Sequence, residues 1–452
     1  MISFSIIQKS QLEGAKRMDA EYYQPEYFID FTKGIWRSIG DVLELCQYGI
    51  SQAMNDDKKG YPIFKMDDID HSFLFDDNVR FADVSESIFN QFKIKKDDVF
   101  FNRVNSEEFV GRTGIYKFDN LKSVFASYLI RARVKSGGEI LADYLNIFLN
   151  SSYGLKQIRK YTRRAVNQAN VNAEELKQMK IAVLPKIEQE KIAELSNKSW
   201  QEFQNSKILY FQAENLLLEE LGLNNFNNEE NLWAVVNASE IKKAQRMDAE
   251  YFQPKYKKLT DAIQKKGAKL LREVIENVPA KFDPSVKPCE NFKYIELSNI
   301  DSSIGVIDGF SEVSGKEAPG RAKRILKKGD VIVSSVEGSL GKVAITDNEQ
   351  EGYLASTGFF QFRSKEILPE VLLALAKSIV FKMQLEKMCA GTILTAVPKE
   401  SINEVFVPIL SKSIQQKISD LVRRSHESRK KAKELLEEAK RKVEELIEKG
   451  DK

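Results

Sequence analysis

Along the 452-residue chain, apolar and polar positions follow two rhythms, and the two rhythms occur in the same order twice. Short β-like runs such as Asp98-Val99-Phe100-Phe101 and Asp330-Val331-Ile332-Val333 alternate with Gly and Asn turn signals. A short helical stretch follows near 140–150 and again near 367–378. Each copy then closes on a long run with helical period. The first starts after Pro185, with Glu188 and Glu190 where the helix dipole favours acids, and continues to Leu221 before a terminating Gly222. The second runs from about Ser413 to Glu448, ahead of Gly450. In the first, Ile192, Leu195, Ser199, Phe203, Ser206, Tyr210, Ala213 and Leu217 recur by threes and fours. In the second the stripe is Ile414, Ile418, Leu421, Ser425, Ser428, Ala432, Leu435, Ala439, Val443 and Leu446. Helices of that length, roughly 50–55 Å at 1.5 Å per residue, need partners of equal length, and the chain supplies one to each.

The pattern predicts an α+β chain: two tandem mixed α/β domains, each followed by a long helix, with the two helices pairing as an antiparallel coiled coil. The boundaries fall at 1–185, 186–222, 223–412 and 413–452.

The halves are copies of one unit. Residues 17–27 read RMDAEYYQPEY and residues 246–256 read RMDAEYFQPKY, identical at nine of eleven positions. Weaker matches follow: Ile94 through Val99 on Leu326 through Val331, Gly111 on Gly341, Ala126-Ser127 on Ala355-Ser356, and Lys191-Ile192 on Lys417-Ile418. The most alike segments, the RMDAEY openings, suit framework or contact with two identical partners.

Composition narrows the class. At 42% hydrophobic and 30% charged, the chain is too apolar to be disordered and too charged to sit in a membrane. With 69 basic against 66 acidic residues, any nucleic-acid surface has to be a local patch. Cys46, Cys289 and Cys389 lie far apart, which argues against a disulfide framework or zinc ribbon and places them as core residues. The amino-terminal segment lacks the features of a secretory signal, and a cytoplasmic location is expected.

No catalytic signature is found: no Asn/Asp-Pro-Pro-Tyr/Phe motif and no phosphate-binding loop. Gly338-Ser339-Leu340-Gly341-Lys342 lies between two β-like runs and reads as a hairpin turn, like its counterpart around Gly111-Arg112-Thr113-Gly114. The acidic clusters Asp67-Asp68-Asp70 and Asp56-Asp57 read as solvated loop charges, and no metal site is assigned. The basic chemistry is concentrated in 156–168, KQIRKYTRRAVNQ. There Lys156, Arg159, Lys160, Arg163 and Arg164 precede Asn167 and Gln168 with no acid among them. Such residues offset phosphate charge and read base edges. The second copy gathers its basic residues elsewhere, at Lys316, Arg321, Lys323, Arg324, Lys327 and Lys328. Arg103, Arg112, Lys342, Thr392 and Thr395 complete the candidates on local chemistry.

The duplicated openings, together with Leu184-Pro185-Lys186-Ile187-Glu188-Gln189-Glu190-Lys191-Ile192 and the matching Val407-Pro408 through Ile414-Gln415-Gln416-Lys417-Ile418, resemble the specificity subunit of type I restriction-modification systems. The resemblance covers essentially the whole chain. It implies that each mixed region is a target recognition domain for one half of a split double-stranded DNA sequence, with the long helices as spacer. It implies no catalysis and no cofactor on this chain. Two methyltransferase subunits using S-adenosylmethionine would dock on it, with restriction subunits driven by ATP and magnesium. A type IIB specificity subunit shares this architecture. A lone DNA-acting enzyme and a coiled-coil adaptor without DNA binding are the competing classes.

Overall fold

The computed structural model describes residues 6–12, 17–165, 168–226, 233–391 and 395–450. They form two compact units, one of residues 1–203 with 430–452 and one of residues 204–429. The division passes through both long helices, Lys186–Leu221 and Lys412–Lys449.

Each unit is built on a six-stranded sheet. In the first, the order is Leu43–Tyr48, Leu129–Val134, Val99–Asn102, Thr113–Ile115, Phe73–Leu74 and Ile69–Asp70. In the second it is Ile275–Asn277, Phe359–Ser364, Val331–Ser334, Val343–Ile345, Val306–Ile307 and Ile300–Asp301. These are the same strands, in the same order, in both copies. Val99-Phe100-Phe101 and Val331-Ile332-Val333 read as unbroken apolar runs because both faces of the sheet are covered there. Val99 and Phe101 face the helix Ala142–Leu149, while Phe100 faces a second core with Phe64 and Phe125. Val331 and Val333 face the helix Pro369–Lys377, and Ile332 faces the smaller core with Ile295 and Phe359.

The run Gly338–Lys342 does form the turn between the antiparallel strands Val331–Ser334 and Val343–Ile345. Likewise Thr113–Ile115 returns antiparallel along Val99–Asn102. Gly222 and Gly450 both take positive φ at the ends of the long helices, where a Cβ would be strained.

The buried polar anchors are duplicated as faithfully as the strands. Asp98 accepts a two-pronged contact from Arg133 at 2.6 and 2.7 Å; Asp330 accepts the same fork from Arg363 at 2.9 and 2.9 Å. Gln189 accepts from the Leu141 amide and donates to Glu139 and Leu184 carbonyls, tying the start of the long helix to the start of the preceding short one. Gln415 repeats this with Leu368 and Leu410. That is the work of the glutamine in each unit's closing motif. Ser196 donates to Asp143 and Ser419 donates to Glu370.

The stripe residues of the long helices meet inside each unit. In the first, the Ser199 hydroxyl donates to the Ala432 carbonyl at 2.7 Å, and Ile192 and Phe203 share a core with Ala439 and Val443. In the second, Ser425 donates to the Ser206 carbonyl at 2.6 Å, and Tyr210 and Leu217 share a core with Ile418 and Val422. Ser199 and Ser425 are therefore buried and bonded to the facing backbone, which small side chains permit, while the buried Ser206 and Ser428 accept from the Arg429 and Asn205 side chains.

Three expectations are corrected. Asp68 is not a solvated loop charge. It is buried, accepts from the Lys65 backbone amide at 2.7 Å, and its carboxyl is pushed up to about 6 by burial. Cys289 is exposed, although Cys389 is buried and Cys46 half-buried. Each short helix near 140–150 and 367–378 is followed at once by a second, Ser152–Tyr161 and Ile379–Met388, so the first half of the basic run lies on a helix of its own.

Candidate nucleic-acid interface

In the first unit the helix Ser152–Tyr161 ends at Thr162, and the chain enters a strand, Arg163–Ala165, that pairs antiparallel with Gln168–Asn170. Val104–Asn105 adds a third strand beside it, immediately after Arg103. Arg163, Arg164 and Gln168 are exposed on this small sheet. Asn167 lies outside the described residues. So the structure brings together Arg103, Arg163, Arg164 and Gln168, while Lys156, Arg159 and Lys160 sit on the helix behind them.

The basic run contains no acid in sequence, but the fold supplies two. Arg164 pairs with Glu107 at 2.7 Å and Arg163 with the buried Glu175 at 2.6 Å. Arg159 donates to the Glu107 and Glu108 carbonyls, and the Lys160 ammonium lies 4.7 Å from the Tyr22 ring. Lys156 is exposed on the helix. Arg112 is exposed and stacks on Phe109 at 4.0 Å. Arg103 lies 4.8 Å from the Tyr48 ring, and its amide donates to the Tyr128 carbonyl. Tyr48 and Tyr128, 38% and 48% exposed, are the aromatic platforms that sequence reading overlooked. Tyr48 closes a strand and Tyr128 lies in the turn just before Leu129–Val134, positions where an aromatic ring without a core to enter is itself a signal.

The second unit presents a different set. Arg321 and Lys323 are exposed, on and beside the strand Ala322–Ile325. Arg324 is not available: its side chain points inward, Nη1 donates to the Val278 carbonyl at 2.6 Å, and burial pushes its pKa down to about 10. It is withdrawn from the candidate contacts. Lys342 is half-buried and donates to the Ile300 carbonyl at 2.8 Å. Thr395 is half-exposed, and its carbonyl accepts from the Glu337 amide; Thr392 lies outside the described residues. A cluster not foreseen from sequence is Lys293, whose ammonium lies 4.5 Å from the exposed Phe310 ring and donates to the Tyr353 hydroxyl at 3.0 Å.

The duplicated openings pack against the carboxyl ends of the helices Ser152–Tyr161 and Ile379–Met388. Arg17 donates to the Tyr161 carbonyl at 3.2 Å, forks onto Asp19, and stands 4.6 Å from the Tyr22 ring. Arg246 donates to the Cys389 carbonyl at 3.0 Å, forks onto Asp248, and stands 4.6 Å from the Tyr251 ring. In both units the hydrogen bond from arginine holds the aspartate carboxyl below its usual range.

The family model of the type I restriction modification DNA specificity domain matches residues 36–198 and 287–438, more than half of the chain and one segment per repeat. The chain belongs to that family. A putative type I restriction enzyme MjaX specificity subunit of Methanocaldococcus jannaschii is 29% identical over 161 residues, 35% of this chain and 37% of that protein. The type I restriction enzyme EcoKI specificity subunit of Escherichia coli K12 is 26% identical over 197 residues, 43% of this chain and 40% of that protein. The matched segments thus span well under half of these relatives. The crystal structure of a type I restriction-modification S subunit from M. genitalium covers 94% of this chain at 14% identity, with a TM-score of 0.42. Among the described residues of this specificity-family chain, no helix is long and apolar enough to cross a membrane.

Proposed function

We propose that this chain is the DNA-recognition subunit of a type I restriction-modification complex and reads a two-part target, one unit per half-site. The observation that carries the reading is the twofold match of the family model to two units that share their buried anchors and differ in their exposed basic and aromatic residues. A common framework with unlike surfaces is what two different half-sites require. Phosphate contacts from the exposed Arg and Lys would fix register, and base contacts from the hairpin and loops would specify sequence.

The long helices act as the spacer, pairing antiparallel along their length. Bonds such as Ser199 to Ala432 and Ser425 to Ser206 support this. The chain itself performs no chemistry. Two methyltransferase subunits would supply it with S-adenosylmethionine, and restriction subunits with ATP and magnesium.

Methylome sequencing of a host carrying this chain with its methyltransferase tests the proposal. The expected result is one split sequence methylated at adenine in both halves; methylation without sequence preference overturns it. Removing one heptad from each long helix, about 10 Å of rise, should shorten the gap between half-sites by about three base pairs and leave both half-sites unchanged.

A further inference from the structure

The RMDAEY openings lie at 17–27 and 246–256, outside both segments that the family model matches. Yet they are the best-preserved part of the duplication, and the structure shows one four-part assembly built twice. An arginine fork, Arg17 or Arg246, grips an aspartate two residues on, Asp19 or Asp248. The same guanidinium caps carbonyls at the carboxyl end of the second short helix: Tyr161 in one unit, Lys387 and Cys389 in the other. A tyrosine five residues on lies between that arginine and a lysine from the helix. Tyr22 has Arg17 at 4.6 Å and Lys160 at 4.7 Å; Tyr251 has Arg246 at 4.6 Å and Lys387 at 4.8 Å.

The capped carbonyls are where the chain leaves the helix for the segment that carries candidate base-reading residues. In the first unit the strand Arg163–Ala165 begins two residues after Tyr161. In the second, Ala390 follows Cys389 and pairs both ways with Ala396, at 3.0 and 3.1 Å, next to Thr395. A cation is favoured at a helix carboxyl terminus, and a two-pronged Arg–carboxylate contact fixes orientation as well as charge. Arg17 also lies 3.9 Å from Glu175, the carboxylate that holds Arg163 on the hairpin.

We propose that Arg17 and Arg246 are positioning residues for DNA specificity, each fixing the exit of one helix into the segment that follows it and thereby setting one half-site alone. The inference rests on the DNA-recognition reading above. It places the strongest sequence repeat at these helix exits, where it would govern specificity without touching a base.

The test uses the full chain assembled with its methyltransferase subunits and a random-site DNA pool. Arg17→Ala should lower selectivity at the first unit's half-site about tenfold per base position, the size of one mismatch. The other half-site and the gap should be unchanged. Arg246→Ala should do the reverse. Arg17→Lys keeps a donor for the Tyr161 carbonyl but loses the fork, and should restore selectivity in part. If Arg17→Ala fails to fold, Asp19→Asn, which releases the fork and leaves the arginine, should show the same one-sided loss. Unchanged selectivity in the variants overturns the inference, as does equal weakening of both half-sites with a lowered melting temperature. If the wild-type complex selects no split sequence, the recognition reading itself has failed.

Discussion

The two units agree where they are buried and differ where they are wet. Asp98 and Asp330, Gln189 and Gln415, Arg17 and Arg246 occupy matching places with matching partners. Arg163, Arg164 and Gln168 on one surface have no like counterparts on the other, which offers Arg321, Lys323 and the Lys293–Phe310 stack. The physical reason is the asymmetry of hydrogen-bond energetics. A buried polar group left without its partner costs about 1–3 kcal/mol, more if charged, so drift there is removed. An exposed residue loses little when its neighbour changes, so surfaces are free to take up different sequences.

The sharpest way to break the comparison is at its buried carboxylates. Asp98 lies within reach of two guanidiniums, those of Arg133 and the fully buried Arg131, at 2.6 and 3.7 Å. Asp330 serves Arg363 and the neutral Gln361. Asp98→Ala therefore strands two cations and Asp330→Ala one. Breaking such a pair costs about 3–5 kcal/mol. Denaturant unfolding should show a loss in that range for Asp98→Ala and a smaller one for Asp330→Ala. Equal losses would mean that Arg131 is held by its other acceptors, the Lys93 and Gln91 carbonyls and Gln47, and not by the carboxylate.

A second test exchanges one unit's residue for the other's. Asp68 and Asn299 hold the same position, each accepting a backbone amide three residues back, from Lys65 at 2.7 Å and Glu296 at 2.9 Å. Burial raises the Asp68 carboxyl to about 6, from an ordinary 3.8. A carboxyl raised on folding adds stability that is fully present below the unfolded pKa and lost as pH rises through the folded one. The first unit should thus lose up to about 3 kcal/mol between pH 4 and 7 from this group. In Asp68→Asn that slope should vanish, leaving the variant the more stable form relative to wild type at pH 7. Parallel curves for the two proteins across that window would remove Asp68 as the source.

Much of this is legible in the sequence. The repeat, the long helices and the hairpin reading of Gly338–Lys342 follow from period and turn chemistry, which act locally. What could not be read depends on residues far apart in the chain. Glu107 and Glu175 reach Arg164 and Arg163 only through the fold, so the acid-free run KQIRKYTRRAVNQ looked more strongly cationic than it is. Asp68 looked solvated because its neighbours Asp67 and Asp70 are. Arg324 could have been placed: Ala322, Arg324 and Leu326 alternate with Lys323 and Ile325, and a period of two puts the arginine on the inward face.

The smallest expected effect separates two neighbours on the hairpin. Arg164 pairs with an exposed Glu107, and an exposed pair is worth about 0–1 kcal/mol, so the guanidinium is free to exchange that partner for a phosphate. Arg163 pairs with a Glu175 carboxylate whose side chain is only 7% exposed and which also accepts the Asn172 amide. Arg163→Ala should therefore lower stability as well as DNA binding, because it uncovers a buried acid. Arg164→Ala should leave the melting temperature unchanged and reduce the dependence of log affinity on log salt by about 0.9 for the one phosphate lost. A salt slope that stays the same in Arg164→Ala would take this residue off the phosphate-contacting surface and leave the first unit's DNA charge to Lys156 and the helix behind.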